Sequence, residues 1–304
     1  MKIIIFGGSG FLGSHVADVL TQRGFDVIIY DKTASPYLIK AQQMIVGDIL
    51  DSKAVGNAVK GCDYVYNFAG VADIAEAFKN PVRTVEVNIL GNARIVQACV
   101  DHKVKRFIFA SSLYVYSDLA SFYRSSKQSC ESIIEEYQKL YHLDFTILRY
   151  GSLYGPRAGE DNFFYKIIKQ CIEEKKILRK GDGEEMRDYI NALDAARCSA
   201  DVLTEEFKNQ YVIIAGTQSI KVKDLLNMVK EMFKDEIAIQ YVPDDTMHHY
   251  TITPYSFKPK VAKKLVSNYY HDLGQGILDM VYDVYERHPS HAEELVKLKR
   301  MIGS

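Results

Sequence analysis

Along the first 150 positions, short apolar runs alternate with longer stretches in which apolar residues recur every three or four places. The runs Lys2–Phe6, Val27–Asp31, Met44–Val46, Tyr64–Phe68, Arg106–Ala110 and Phe145–Arg149 are rich in Ile, Val, Phe and Tyr and are bounded by turn or polar residues, which predicts strands. Between them, Gly13–Arg23, Pro81–His102 and Tyr123–Tyr141 carry the helical period, with Pro81 at a first-turn position. Strands separated by amphipathic helices predict an α/β chain with a doubly wound parallel sheet.

From Gly151 the pattern loosens into Gly- and Pro-containing turns. It predicts a helix near Asn162–Glu174, a strand at Arg187–Ile190, a helix near Leu193–Glu205 and a strand at Tyr211–Ala215 that returns to the large sheet. A helix at Val222–Phe233, a strand at Ile237–Val242 and C-terminal helical segments follow. The expected division is therefore 1–151 with later contributions from about 190–215, and 152–304 as mainly a smaller, interleaved lobe. Residues after His288 are polar and are expected to fray.

Composition narrows the classes. The 304 residues are 47% hydrophobic and 25% charged, as in a globular chain with a sizeable core. Lys and Arg number 38 against 39 Asp and Glu, so no summed field gathers polyanions and nonspecific nucleic-acid binding is not expected. No apolar stretch approaches the roughly 20 residues of a membrane helix, and Met1-Lys2 opens into a short apolar run without a cleavage pattern. A cytoplasmic protein is expected. The five scattered cysteines lack a CxxC pair and read as reduced thiols; His288 and His291 read as a surface pair, so no metal is assigned.

The first candidate chemistry follows the first strand. Gly7, Gly10 and Gly13 stand three apart at the entrance to a helix, where glycine permits a tight turn and backbone N–H groups can approach a pyrophosphate at the positive end of the helix dipole. Asp31 ends the second strand about 20 residues on, where a carboxylate can hydrogen-bond an adenosine ribose. A 2′-phosphate would meet repulsion there, softened by Lys32, so NAD is favoured over NADP. Asp48 either faces an adenine or is an ordinary strand-end turn carboxylate.

Gly7-x-x-Gly10-x-x-Gly13, Asn67-x-Ala69-Gly70, Asn88-x-x-Gly91, Ser111-Ser112 and Tyr123-x-x-x-Lys127, in this order, resemble the extended short-chain dehydrogenase/reductases. Leu148-Arg149-Tyr150-Gly151-Ser152-Leu153-Tyr154-Gly155-Pro156-Arg157 and Gly181-Asp182-Gly183-x-x-x-Arg187-Asp188-Tyr189 extend the likeness to the nucleotide-sugar branch, the NAD-dependent epimerase/dehydratase family. The resemblance runs nearly the full length. It implies a Rossmann domain holding NAD through Gly7, Gly10, Phe11, Leu12, Asp31, Asp48, Ile49, Ala69 and Lys127. It also implies a homodimer through the helices at 81–102 and 123–141.

Residue chemistry fits the implied catalytic set of Ser112, Tyr123 and Lys127. Tyr123 and Lys127 stand i, i+4 on one helical face, so the ammonium can stabilise the phenolate of a group whose ordinary pKa is about 10. Ser112, just past a strand, can hydrogen-bond the same substrate oxygen. Only eleven positions separate Ser112 from Tyr123, a shorter stretch than in nucleotide-sugar relatives. Eleven residues still reach up to about 35 Å, so a shared site survives, while the wall that the longer loop builds over the sugar is in doubt.

The same resemblance bears on the reaction. Relatives that remove water carry Asp-Glu after this Ser, and sugar-acid decarboxylases retain a glutamate there; here Leu113-Tyr114 follow, which argues against both. A 4-epimerase acting on a nucleotide-diphosphate sugar, with a UDP-hexose or UDP-N-acetylhexosamine leading, is the preferred reading. A keto-reductase or dehydrogenase, or a noncatalytic dinucleotide sensor, stands as the alternative. Arg187 matches a family arginine that contacts diphosphate, with Tyr189 and Ser152 beside it. Ser152 replaces the Asn of many relatives, and Pro243–Tyr250 lacks a further arginine, for which His248 or His249 could substitute.

Overall fold

The structure, a computed structural model, describes residues 1–117, 119–217, 219–234, 236–243, 263–264 and 271–287. The expectations placed on 244–250 with His248 and His249, and on His288, His291 and the residues after them, lie outside the described residues.

In chain order the first part comprises β1 (Lys2–Phe6), α1 (Phe11–Gln22), β2 (Asp26–Asp31), β3 (Gln42–Val46), α2 (Ser52–Val59), β4 (Tyr64–Asn67), α3 (Ile74–Lys79) and α4 (Pro81–Thr84). A π-helical turn at Val85–Gly91 leads into α5 (Asn92–Asp101), then β5 (Arg106–Ser112), a 3-10 helix at Leu113–Tyr116, α6 (Ser121–Tyr141) and β6 (Phe145–Tyr150). There follow β7 (Ser152–Tyr154), α7 (Phe163–Glu174), β8 (Lys176–Lys180), β9 (Met186–Asn191), α8 (Ala192–Asp201) and β10 (Gln210–Ile214). The last elements are β11 (Ser219–Lys221), α9 (Val222–Met232), β12 (Ala238–Val242), β13 (Lys263–Lys264) and α10 (Leu273–Arg287).

The central sheet is parallel, with strand order β13-β10-β6-β5-β4-β1-β2-β3. It is an α/β, doubly wound, Rossmann-type sheet. Both of its faces are covered, which is why β1 is an unbroken apolar run rather than an alternating one. Ile3 and Ile5 pack toward Val16 and Leu20 of α1 and Ala195 of α8, while Ile4 and Phe6 pack toward Val55, Ile95 and Cys99 on the other face. The strand order reverses between β1 and β4, and the crevice at the carboxyl ends of these strands is where such sheets hold ligands.

The smaller lobe has its own core. The three-stranded sheet β11-β9-β7 and the pair β12-β8 carry α7, α9 and α10, whose Phe164, Ile168, Leu225, Leu226, Ile277 and Val281 are buried together. All five cysteines are buried free thiols.

The expected single helix at Pro81–His102 is instead α4, the π-turn and α5. The wide turn carries Asn88, whose side chain accepts from the Val71 N–H at 2.7 Å and donates to the Val71 carbonyl at 3.0 Å and to Ser126 Oγ at 2.9 Å. These tertiary bonds accompany an extra residue in the turn that apolar periodicity does not reveal. The helix expected to run to Glu205 stops at Asp201, and a 3-10 turn at Glu205–Phe207 follows.

Candidate active site

A cavity of about 1440 Å³ opens at the switch point and runs into the smaller lobe. Its floor is the turn after β1. Gly7 has φ +78°, and a Cβ there would sit 2.5 Å from the Ala69 nitrogen, so only glycine lets β1 and the end of β4 approach this closely. A Cβ on Gly13 would overlap the Gly7 carbonyl oxygen and lie 3.0 Å from Gly8 Cα, which explains the third glycine as helix-to-turn packing. Gly10 and Phe11, where α1 begins, line the cavity beside this turn.

Asp31 closes β2 at the cavity wall, where its Oδ2 accepts the Ser9 N–H at 3.0 Å, locking the glycine turn to the second strand. Asp48 Oδ1 accepts from the Leu50 N–H at 2.9 Å, and Lys32 lies 3.7 Å from its other oxygen. Both carboxylates, with Gly10, Phe11, Ile49 and Ala69, line the cavity. Leu12 does not: its side chain is buried in the core beneath, which leaves only its backbone for a cofactor contact. Asn67 Oδ1 holds the Ala69 N–H at 3.0 Å, fixing the strand end opposite the turn. An acid at the end of β2, a glycine cap at the helix N-terminus and a close-packed glycine floor fit a dinucleotide.

The carboxyl end of β5 gathers the expected catalytic residues. Ser112 Oγ accepts the Tyr114 N–H at 3.3 Å and caps the 3-10 helix, keeping its proton available to a further acceptor. Lys127 Nζ donates to the Ala110 carbonyl at 2.8 Å and lies 5.8 Å from the centre of the Tyr123 ring. Tyr123 lines the cavity; Ser112 and Lys127, each 7% exposed, adjoin it through their contacts with Tyr114 and Tyr123. Burial pulls the Lys127 ammonium below the usual lysine range, against the raising influence of Cys130 and Glu131.

A buried network ties this strand end to α6. Arg149 pairs with both oxygens of Glu131, at 3.0 and 2.7 Å, and donates to Tyr116 Oη at 2.5 Å, while Ser111 Oγ donates to Glu131 at 2.6 Å. Glu131 and Arg149 are both fully buried, so either partner alone would be an uncompensated interior charge. The pair holds Ser111-Ser112 against the helix that bears Tyr123 and Lys127. Asn88 adds a second tether through Ser126, whose Oγ donates to the Tyr123 carbonyl at 2.7 Å.

At the far end, Ser152, Arg187 and Tyr189 line the same cavity, with Ser152 opposite Tyr189 in the β7–β9 register. Arg187 Nη1 donates to the Met186 carbonyl at 2.8 Å, which orients the guanidinium. Further wall residues are not marked by the sequence pattern. Arg179 pairs with Glu185 beside Phe163, and Arg157 bonds Asp18 at 2.7 Å and stacks 4.5 Å over Tyr37. Arg157 ends the Leu148–Arg157 motif, but nothing in the sequence connects it with Tyr37. In the sequence Tyr114 signals only the absence of a carboxylate, yet in the fold it lines the cavity against Tyr123.

Among the described residues no helix is long and apolar enough to cross a membrane. A model of the NAD dependent epimerase/dehydratase family matches residues 3–215. The chain is 28% identical over 249 residues to a putative UDP-glucose 4-epimerase of Methanocaldococcus jannaschii, covering 75% of this chain and 81% of that protein. It is 26% identical over 294 residues to a UDP-N-acetyl-alpha-D-glucosaminuronate decarboxylase of Bacillus cytotoxicus, covering 86% and 90%. The structure of UDP-glucose 4-epimerase from Thermotoga maritima with UDP-glucose superposes with a TM-score of 0.82 at 24% identity, over 94% of this chain and 99% of that one, which establishes a shared fold. With the glycine cradle, the closing aspartate and a family match running from β1 to β10, the chain belongs to the NAD-dependent epimerase/dehydratase family, and NAD is its cofactor.

Proposed function

We propose that this chain is a nucleotide-diphosphate-sugar 4-epimerase in which Ser112, Tyr123 and Lys127 carry the proton chemistry. The observation that supports the reading is Tyr123 on the wall of the cavity that holds the glycine turn, with Lys127 5.8 Å from its ring centre and Ser112 bonded to the backbone of Tyr114, whose ring meets that of Tyr123. Bound NAD supplies a hydride acceptor that also returns the hydride. Tyr123, as phenolate, takes the proton of the C4 hydroxyl, and Lys127 lowers the cost of that anion. Ser112 donates to the C4 oxygen. After the keto-sugar presents its other face, the Tyr123 hydroxyl gives the proton back, so the chain neither gains nor loses one over a turnover.

Arg187 holds the diphosphate, with Tyr189 and Ser152 beside it. Leu113 and Tyr114, where water-removing relatives carry acids, favour an epimerase over a dehydratase or decarboxylase. The name of the Methanocaldococcus relative, a putative UDP-glucose 4-epimerase, supports a UDP-hexose as substrate. Purified protein without added NAD, incubated with UDP-, GDP-, CDP- and dTDP-hexoses, is expected to invert C4 of one of them by proton NMR. Tyr123→Phe is expected to keep its NAD and lose turnover about 10²- to 10⁴-fold. Unchanged sugars throughout, from protein that carries NAD, would redirect the reading to keto-sugar reduction.

Exposed apolar side chains support pairing of the protein with itself. Val82, Val85 and Leu90 on the 81–102 segment, and Phe122, Leu140 and Tyr141 on α6, are each more than 40% exposed. Light scattering at micromolar concentration is expected to read a dimer, and a monomer mass would remove this part of the proposal.

A further inference from the structure

One aromatic side chain in the cavity has no role in the proton chemistry, and its placement gives it another. Tyr114 stands two residues after Ser112, to whose Oγ its backbone N–H donates, and its half-buried side chain lines the cavity. Its ring meets the Tyr123 ring edge-on, with centroids 6.2 Å apart and planes at 82°. A sugar whose C4 oxygen reaches both Ser112 and Tyr123 must therefore lie next to Tyr114.

The backbone shows why the residue ends there. Ser112 starts the 3-10 helix at once, the turn Leu113–Tyr116 is short, and α6 begins at Ser121. The connection is so tight that Ala120 and Ser121, neither a glycine, take φ of +70° and +45° in succession. So short a segment leaves few residues to wall the cavity beside Tyr123, and Tyr114 is a large one among them. Its register is set by the same cap that orients the Ser112 hydroxyl.

We propose that Tyr114 is the specificity-determining wall of the sugar subsite, its ring packing on the apolar C–H face of the hexose while the nucleotide is held elsewhere. This rests on the epimerase reading, since it takes the sugar to be bound at Tyr123. The contact is to the sugar and not to the base or the diphosphate, so it has a signature in binding alone. The ring, rather than the hydroxyl, supplies it.

Calorimetry on the NAD-loaded protein tests this with UDP against UDP-glucose, dTDP against dTDP-glucose and GDP against GDP-mannose. In Tyr114→Ala, Kd for the nucleoside diphosphate is expected to stay within about twofold while Kd for the matching sugar nucleotide rises about three- to tenfold. Tyr114→Phe is expected to match the wild type in both, with bound NAD unchanged in each variant as the check on folding. An equal loss for sugar nucleotide and nucleoside diphosphate in Tyr114→Ala, or no loss in either, would overturn the wall while leaving the epimerase reading intact. A wild-type protein that binds none of the six would overturn the epimerase reading and the wall with it.

Discussion

At the glycine-turn end of the cavity shape is held by backbone against backbone; at the Arg187 end it is held by long charged side chains against their neighbours. Gly7 and Gly13 bring main chain so close that no Cβ fits, and Asp31 is committed to the Ser9 N–H of the same turn. Across the cavity, Arg179 is paired with Glu185 beside Phe163, and Arg187 is bonded to the Met186 carbonyl. A backbone floor has one shape and tolerates little change. Side-chain pairs on Lys and Arg stems can be rebuilt one residue at a time, which suits the part of the molecule that selects among substrates.

The largest expected break in that contrast is at the floor. Gly13→Ala puts a methyl group onto the Gly7 carbonyl, so the turn must part from α1, at about 3 kcal/mol or more of stability. Protein purified from this variant is expected to carry no NAD and to unfold at clearly lower denaturant concentration. Retention of wild-type NAD content would mean that the close approach does not shape the cradle. At the opposite end the expected effect is smaller and confined. Arg187→Ala is expected to weaken nucleoside-diphosphate binding about ten- to a hundredfold, the worth of a charge-assisted hydrogen bond, with NAD content unchanged. Loss of NAD as well would show that the two ends are not separable.

The same contrast decides what could be read from the sequence. Gly7, Gly10 and Gly13 were legible because a backbone turn demands a residue type at a fixed spacing, and Asp31 because it ends the next strand. Tyr123 and Lys127 were legible because four positions on a helix is one turn. The six strands of the first half were found as apolar runs, since a sheet covered on both faces needs them. β7, β8 and β11 were not, being three to five residues long with mixed polarity and set by neighbours in the lobe. The π-turn at Val85–Gly91 depends on Asn88 reaching Val71, and the Arg157–Tyr37 contact joins the smaller lobe to the β2–β3 loop. No local pattern records a contact between residues so far apart in the chain. Tyr114 shows the remaining gap: its identity is plain in the chain, but its position against Tyr123 appears only when the short segment is folded.

The central claim is that C4 is oxidised and re-reduced within one site, with Tyr123 moving only the hydroxyl proton. It is tested most directly by following the reaction in D₂O by NMR, with no added cofactor and the sugar nucleotide that the protein accepts. Inversion at C4 with ordinary hydrogen retained on that carbon is the predicted result, because the hydride leaves and returns without meeting solvent. Deuterium on C4 of the inverted sugar, or on C5 of a dehydrated one, would contradict it.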